Sequence, residues 1–231
     1  LNTENGIPRS TFLTWLGLGL ASSLFMSFIY GFSNKYSYRV IKRKITFKNL
    51  PEAFKGFKIV HISDIHSGSL QDQKAVQKGV DMITNLQADL VLFTGDLVND
   101  KATEMSPWMS VFSQLSAPHG VYSTLGNHDY GDYVAWPSKQ AKQDNLEALK
   151  QVHANLGWKL MMNENTLIEK DGQSLRLVGI ENWGAKARFP KYGKMDQAMQ
   201  GVQKDEIIIL MSHDPSHWEA EVQVKYPEVN L

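Results

Sequence analysis

The chain of 231 residues contains no cysteine. This absence excludes a disulfide framework, a thiolate zinc site and cysteine nucleophilic catalysis, so any metal must be held by histidine and oxygen ligands. A net charge is also lacking, because 24 basic residues balance 24 acidic ones. With 42% hydrophobic and 21% charged residues, the composition is that of a globular protein and excludes a disordered or collagen-like chain.

The zero net charge conceals a division after Lys48. Residues 1–48 hold seven basic side chains and one acidic one, which leaves 17 basic and 23 acidic side chains in the rest of the chain. An acidic body has the wrong sign for nonspecific binding to a phosphate backbone. We therefore expect no nucleic-acid partner, while the oligomeric state stays open.

One uncharged hydrophobic run lies near the N-terminus, at residues 10–34. About 20 such residues cross the core of a bilayer, and Trp15 and Tyr30 suit its two interfaces. A buried core helix and the hydrophobic part of a signal peptide are the alternatives. We expect a transmembrane helix over 12–33, preceded by the tail of an upstream region over 1–11.

Six basic residues and no acidic one follow the span within 34–48, whereas only Arg9 precedes it. This segment is predicted to be a basic juxtamembrane strand or linker. The excess of positive charge on cytoplasmic loops favours a body on the cytoplasmic side of the cell (inner) membrane, with the exported side as the alternative. The same stretch could also lie against anionic lipid headgroups.

Strand-like and helix-like segments alternate over 49–231, which predicts one α/β domain. Apolar or β-branched runs predict strands at 57–62, 89–94, 120–125, 175–180 and 207–211. Helical periodicity predicts helices within 70–86, after Pro107 and over 146–156.

Four of the predicted strands end in polar clusters, at 64–66, 95–96, 126–129 and 212–214. Ligands collect at the carboxyl ends of strands in open α/β sheets, so these clusters should converge. In an extended segment the side chains of Asp64 and His66 point to the same side. Asp96 can offer its two carboxylate oxygens to two ions. Oxygen and imidazole ligands together suit Mn²⁺, Fe or Zn²⁺.

Taken singly, each Asp could be a helix cap or a turn residue, and each His could be a packing residue. Together, Asp64-Ile65-His66, Gly95-Asp96, Gly126-Asn127-His128-Asp129 and Ser212-His213 resemble the successive motifs of the calcineurin-like metallophosphoesterases. The resemblance covers 45–231. It is closer to a bacterial subgroup with an N-terminal membrane or export segment, which includes UDP-2,3-diacylglucosamine hydrolases.

The resemblance implies a β-sandwich flanked by helices, in four α/β/β/α layers, and a cofactor of two divalent metal ions. It implies that Asp64 and His66 bind the first metal, that Asp96 bridges, and that Asn127 and His213 bind the second.

The resemblance also implies that His128 is a catalytic imidazole outside the metal ligands and that Asp129 orients it. The implied reaction is attack of a metal-bridging hydroxide on a phosphoester, with His128 donating a proton to the leaving group. Trp183 and Arg188 are weaker candidates for contact with substrate.

The family's final Gly-His-x-His motif is absent from the sequence, which stops shortly after a Tyr226-Pro227 turn signal. We expect a longer parent gene to encode this motif and the chain to be a C-terminally incomplete fragment.

The expected function is hydrolysis of phosphodiester or pyrophosphate bonds by a membrane-anchored enzyme. A lipid-linked substrate is one option, because the anchor would hold the cleft near the bilayer. A phosphomonoesterase, including a protein phosphatase, and a non-catalytic binding module remain the alternatives.

Overall fold

The computed structural model describes residues 6–185 and 190–231 and divides into two compact units, 1–43 and 44–231. The first unit contains one helix, α1 (Arg9–Asn34). Its part Arg9–Gly31 is long and apolar enough to cross a membrane, and none of that part is buried within the structure. A signal sequence near an N-terminus passes the same test of length and composition.

The basic stretch that follows α1 forms no strand. Residues 38–47 have no regular secondary structure, although apolar and polar residues are interleaved there. A strand needs a partner for its backbone N–H and C=O groups, and neither of the two sheets in the described ranges includes this stretch. The strand predicted here does not form, and the alternative of a linker stays a prediction.

The second unit contains two sheets. The first consists of four parallel strands in the order β1 (Ile59–Ile62), β2 (Leu90–Thr94), β3 (Val121–Thr124) and β4 (Lys159–Leu160). Every residue of β2 and β3 is buried, as expected of central parallel strands covered on both faces. Because the strands are parallel, the loops that follow them meet at one edge of the sheet.

The second sheet contains three strands in the order β5 (Glu164–Lys170), β6 (Gln173–Gly179) and β7 (Ile208–Met211). β5 and β6 form an antiparallel hairpin, whereas β7 runs parallel to β6. On the far side of β7, the backbone of Leu231 hydrogen-bonds to Ile208 and Leu210.

The two sheets pack face to face through one hydrophobic core. Leu90, Leu92 and Tyr122 of the first sheet meet residues of all three strands of the second, namely Ile168, Leu175, Leu177, Ile209 and Met211. The expected sandwich of two sheets is confirmed by this shared core.

Helices lie beyond the outer faces of the two sheets. Three of them are α2 (Gln73–Thr84), α3 (Met109–Phe112) and α4 (Lys139–Asn155), and α4 places the ring of His153 6.2 Å from that of Phe93 on β2. On the outer face of the second sheet, α5 (Met195–Ala198) packs against Val178 and Ile208, and α6 (Gln223–Lys225) follows a π-helical turn. The flanking helices complete the mixed α/β fold that the sequence predicts.

Candidate metal centre

The loops after β1 and β2 have an unusual backbone conformation. Asp64, His66 and Asp96 have positive φ angles of 54°, 46° and 59°. This region is sparsely populated by residues other than glycine, and residues held in it cluster at functional sites. The N–H groups of Asp64 and His66 donate to the carbonyls of Gly95 and Asp96, each at 3.0 Å. The β1–β2 pairing therefore continues into the loops and fixes them side by side.

A glycine brings the loop after β3 close to the loop after β2. A Cβ at Gly126 would overlap the carboxylate of Asp96 and the ring of His213. Only a residue without a side chain permits this approach, so Gly126 allows the candidate ligands to converge.

Asp96 lies at the centre of the cluster, with 3% of its surface exposed. Its Oδ2 is 3.5 Å from Nε2 of His66 and 3.4 Å from Nε2 of His213, and its Oδ1 accepts the backbone N–H of His128 at 2.9 Å. Two groups of potential ligand atoms share Asp96, and the atoms within each group lie within 4.8 Å of one another. One group is Asp64, Asp96 and His213, and the other is His66, Asp96 and His128.

This grouping differs in detail from the pairing that the sequence resemblance implies. Asp64 falls in a group with His213, although Nε2 of His66 is also within 3.8 Å of its Oδ1. Oδ1 of Asn127 lies 3.2 Å from Nε2 of His213. The structure thus brings all five expected ligands to one place, where Asp96 is common to both groups.

The electrostatics of Asp96 and His213 favour a cation between them. Burial alone would raise the pKa of Asp96, but His213 and His128 lower it on balance. Burial disfavours protonation of His213, yet Asp96 and the Thr94 carbonyl, which accepts a hydrogen bond from Nδ1 at 2.8 Å, raise its pKa to about 9. A divalent ion replaces such a proton, and the donor set of carboxylates, amide and imidazoles fits Mn²⁺, Fe or Zn²⁺.

His128 belongs to the second group of potential ligands, although the resemblance implies a role outside the ligands, and one of its ring nitrogens is occupied. Its Nδ1 is 2.8 Å from the carbonyl of Asn99, and since a carbonyl only accepts, Nδ1 carries the hydrogen. Its ring meets that of His66 edge-on at 4.8 Å and that of Tyr133 at 4.4 Å. Contacts on several sides therefore hold the ring, and Nε2 is the nitrogen that the Asn99 carbonyl does not contact.

Asp129 contacts the backbone of the loops, whereas the resemblance implies that it orients the ring of His128. It is fully buried. Its carboxylate accepts hydrogen bonds from four backbone N–H groups, those of Asp96, Leu97, Val98 and Gly126. Burial raises the pKa of Asp129 to about 7, although the donor at Gly126 opposes that rise. The contact that orients His128 comes from Asn99, and Asp129 ties the loops after β2 and β3 together.

The two weaker candidates for substrate contact have different outcomes. Trp183 is 9% exposed, in the cluster on the outer face of the second sheet. Its ring lies 4.6 Å from that of His217, and the ammonium of Lys191 lies 4.0 Å from its centroid. Little of the Trp183 surface is thus available to a substrate. Arg188 lies outside the described residues.

The sequence reasoning missed Asn99 and Tyr133. Asn99 acts through its backbone carbonyl, which any residue carries, and Tyr133 lies in a loop without periodicity. The hydroxyl of Tyr133 accepts a hydrogen bond from Nδ2 of Asn127 at 2.7 Å. No pattern in the sequence indicates either contact.

Two packed sheets whose strand ends gather carboxylates, an amide and imidazoles around one shared aspartate define an α/β domain with a candidate metal site. The profile of the calcineurin-like phosphoesterases matches residues 57–231. The chain belongs to this family, whose members normally bind two divalent metal ions.

Several proteins are similar to this chain. It is 28% identical over 197 residues to a transmembrane protein with metallophosphoesterase domain of Danio rerio, covering 84% of this chain and 43% of the relative. An uncharacterized metallophosphoesterase of Helicobacter pylori is 24% identical over 207 residues, 90% of this chain and 51% of the relative. The UDP-2,3-diacylglucosamine pyrophosphatase LpxG of Chlamydia trachomatis is 37% identical over 91 residues, 38% of this chain and 28% of the relative. The chain spans about half or less of the length of these relatives.

Proposed function

We propose that this chain is the anchor and catalytic region of a membrane-bound, two-metal hydrolase of phosphodiester or pyrophosphate bonds. The observation that supports this function most is the position of Asp96, whose Oδ2 lies 3.5 Å from Nε2 of His66 and 3.4 Å from Nε2 of His213. A carboxylate in this position would be available to two neighbouring metal ions. In this proposal residues 12–33 span the membrane, residues 34–48 connect that span to the catalytic domain, and residues 49–231 form this domain.

The proposed ligands are Asp64, His66, Asp96, Asn127 and His213. When bound, a metal pair neutralises the charge of the phosphate and lowers the pKa of a coordinated water toward about 7. The Thr94 carbonyl fixes Nδ1 of His213 as the protonated nitrogen and so presents Nε2 to the cluster. Such partners of a ligand set both the orientation and the basicity of its ring.

His128 acts on the leaving group. The Asn99 carbonyl holds its Nδ1 hydrogen, which leaves Nε2 to carry the proton that the departing oxygen takes up. Asp129, which is fully buried, stays away from the substrate and keeps the loops of Asp96 and Gly126 in register.

A lipid-linked substrate fits the anchor. The name of LpxG describes a pyrophosphatase acting on a diacylated sugar nucleotide, and α1 would keep the site of this chain close to a bilayer that holds such molecules. The excess of basic residues within 34–48 favours a site on the cytoplasmic side over one on the exported side.

The test compares two chromogenic substrates in the presence of Mn²⁺. The chain should hydrolyse bis-p-nitrophenyl phosphate in preference to p-nitrophenyl phosphate, and a chelator should abolish the activity. Asp96→Asn should remove the activity with the bound metal, whereas Asp81→Asn, on the exposed face of α2, should retain both. A preference for the monoester would favour the phosphomonoesterase instead. Bound Mn²⁺ without turnover of either substrate would favour the binding module.

A further inference from the structure

A recess with a volume of about 100 Å³ adjoins the candidate metal centre. We call it the tyrosine recess, because three of its walls are tyrosines. Its lining includes Asn127, Tyr130, Asp132, Tyr133, Asn182 and Tyr192.

Asn127 belongs both to the recess and to the metal centre. Its Oδ1 lies 3.2 Å from Nε2 of His213, and its Nδ2 donates to the Tyr133 hydroxyl. The ring of Tyr133 lies 4.4 Å from that of His128. A group attached to a phosphate at the metal centre would therefore meet the recess directly.

The aromatic walls of the recess are firmly held. The ring of Tyr192 stacks on that of Tyr130, with centroids 4.0 Å apart and planes at 22°. Tyr130 is buried, and its hydroxyl donates to Glu181 at 3.0 Å. Tyr133 is 49% exposed at the mouth. Rigid aromatic faces favour a planar ring, since offset and edge-on ring pairs are stabilising beyond their buried area.

The charges of the recess favour an uncharged group. Among the described residues of the lining, Asp132 is the one that carries a charge, and it is already paired with Lys142. No lining residue in the described ranges offers a cation for a second anion. Asn182 is 1% exposed and its Oδ1 has no hydrogen-bond partner among the described residues, and a buried polar atom of this kind favours a partner from a ligand or a water.

We propose that the tyrosine recess is the subsite for an uncharged, hydrogen-bonding planar ring carried by the phosphoester substrate. The proposal rests on the proposed function and narrows it to phosphodiesters or pyrophosphates with an aromatic or heteroaromatic substituent. Tyr192 and Tyr133 select the ring, and the metal centre holds the phosphate.

The first experiment measures binding and needs no turnover. Phenylphosphonate and ethylphosphonate, whose carbon–phosphorus bonds resist hydrolysis, are titrated calorimetrically into the Mn²⁺-loaded chain. The phenyl compound should bind more tightly by about threefold to tenfold, the factor expected of one aromatic contact. Equal affinities would contradict the proposed ring subsite but not the proposed phosphoesterase function. Binding of neither compound would contradict both proposals.

The second experiment tests which residues produce the preference for the phenyl compound. Tyr192→Leu and Tyr133→Leu should each reduce the ratio of phenyl to ethyl affinity toward one. Tyr38→Leu, which changes an exposed tyrosine outside the second unit, should keep the wild-type ratio. An undiminished ratio in both recess variants would contradict the proposal, and circular dichroism verifies that each variant is folded.

Discussion

His128 and Asp96 are in direct contact, but their substitution should have different effects. His128→Ala removes a proton donor, so turnover should fall by about 10² to 10⁴-fold, with most of the metal retained. Asp96→Asn should lose metal, because Oδ2 of Asp96 lies 3.5 and 3.4 Å from Nε2 of two proposed ligands, His66 and His213. Metal content and kcat are measured on the same samples. The control is His119→Ala, which changes a ring that lies 5.2 Å from that of Phe57. Equal metal loss in the two variants would make His128 a ligand.

A second residue, His153, makes stability depend on pH. It is fully buried against Phe93 and Trp158, and neither ring nitrogen has a hydrogen-bond partner among the described residues. Burial lowers its pKa to about 3. Below about pH 6.5 the unfolded chain takes up a proton that the native state refuses, so stability falls by up to about 1.4 kcal/mol per pH unit toward pH 3.

His153→Leu should therefore stabilise the protein, and more at low pH. Urea unfolding in the presence of a chelator should show a gain over wild type that grows by about 2 kcal/mol between pH 8 and pH 5. The gain at pH 8 comes from removing unpaired buried nitrogens. A pH-independent difference between the two proteins would show that His153 does not carry this proton linkage.

The side chains of the candidate site were predictable from sequence, while their supporting contacts were not. Asp64, Asp96 and Asn127 follow strands whose carboxyl ends share an edge, so their convergence follows from topology. Asp129 looks like a member of the same motif, but its partners are backbone N–H groups. Every residue except proline has such a group, so no residue type reveals which loop a buried carboxylate holds.

At the scale of an element, the loop after β2 depends on one carboxylate. Glu104, in a 3-10 helix, accepts the N–H groups of Asn99, Asp100 and Lys101 at 2.6, 3.2 and 3.0 Å. The carbonyl of Asn99 in turn holds Nδ1 of His128. Glu104 thus supports the ring of His128, the proposed catalytic imidazole, through the loop backbone.

Glu104→Ala should lower both stability and kcat. Loss of three hydrogen bonds to a charged acceptor should cost about 2 to 3 kcal/mol in unfolding free energy. Turnover should fall by roughly tenfold, since a tenfold change in rate needs only about 1.4 kcal/mol. KM should change little, because these hydrogen bonds of Glu104 go to the backbone of the loop and not to the proposed metal ligands.

The conservative variant separates positioning from general stability. Glu104→Gln keeps one acceptor oxygen and should recover part of kcat. Glu147→Ala removes an exposed carboxylate that pairs with Lys150 on α4 and should alter neither quantity. A Glu104→Ala protein with reduced stability but wild-type kcat would limit Glu104 to a structural role.

Strong periodicity predicted most elements, and weak patterns produced the errors. The five predicted strands of the domain all form, with ends displaced by one or two residues. β4 is only two residues long, and β5 begins with three polar residues, Glu164 to Thr166. It forms because the turn at Asp171 and Gly172, both with positive φ, pairs it with β6 as a hairpin. Residues 38–47 have a comparable pattern, but neither sheet of the described ranges includes them.

At the scale of the whole chain, charge and hydrophobicity divide at about the same place as the compact units. The basic N-terminal segment ends near the boundary at residue 43, and the acidic body follows it. A basic segment beside an apolar helix combines two sources of membrane affinity, of which only the electrostatic one is screened by salt. The two contributions can therefore be separated by ionic strength.

The full chain should float with anionic liposomes at low salt and also at about 1 M salt, where the Debye length is about 3 Å. Leu18→Arg combined with Leu24→Arg should abolish flotation at high salt, because each charge at mid-membrane costs about 2.5 to 3.5 kcal/mol. Lys42→Ala combined with Lys44→Ala removes charge from the basic stretch alone. When these two substitutions are added to the arginine variant, they should weaken the binding that this variant retains at low salt. A wild-type chain that leaves the liposomes at high salt would show that α1 does not insert, and would restrict the attachment to the basic residues.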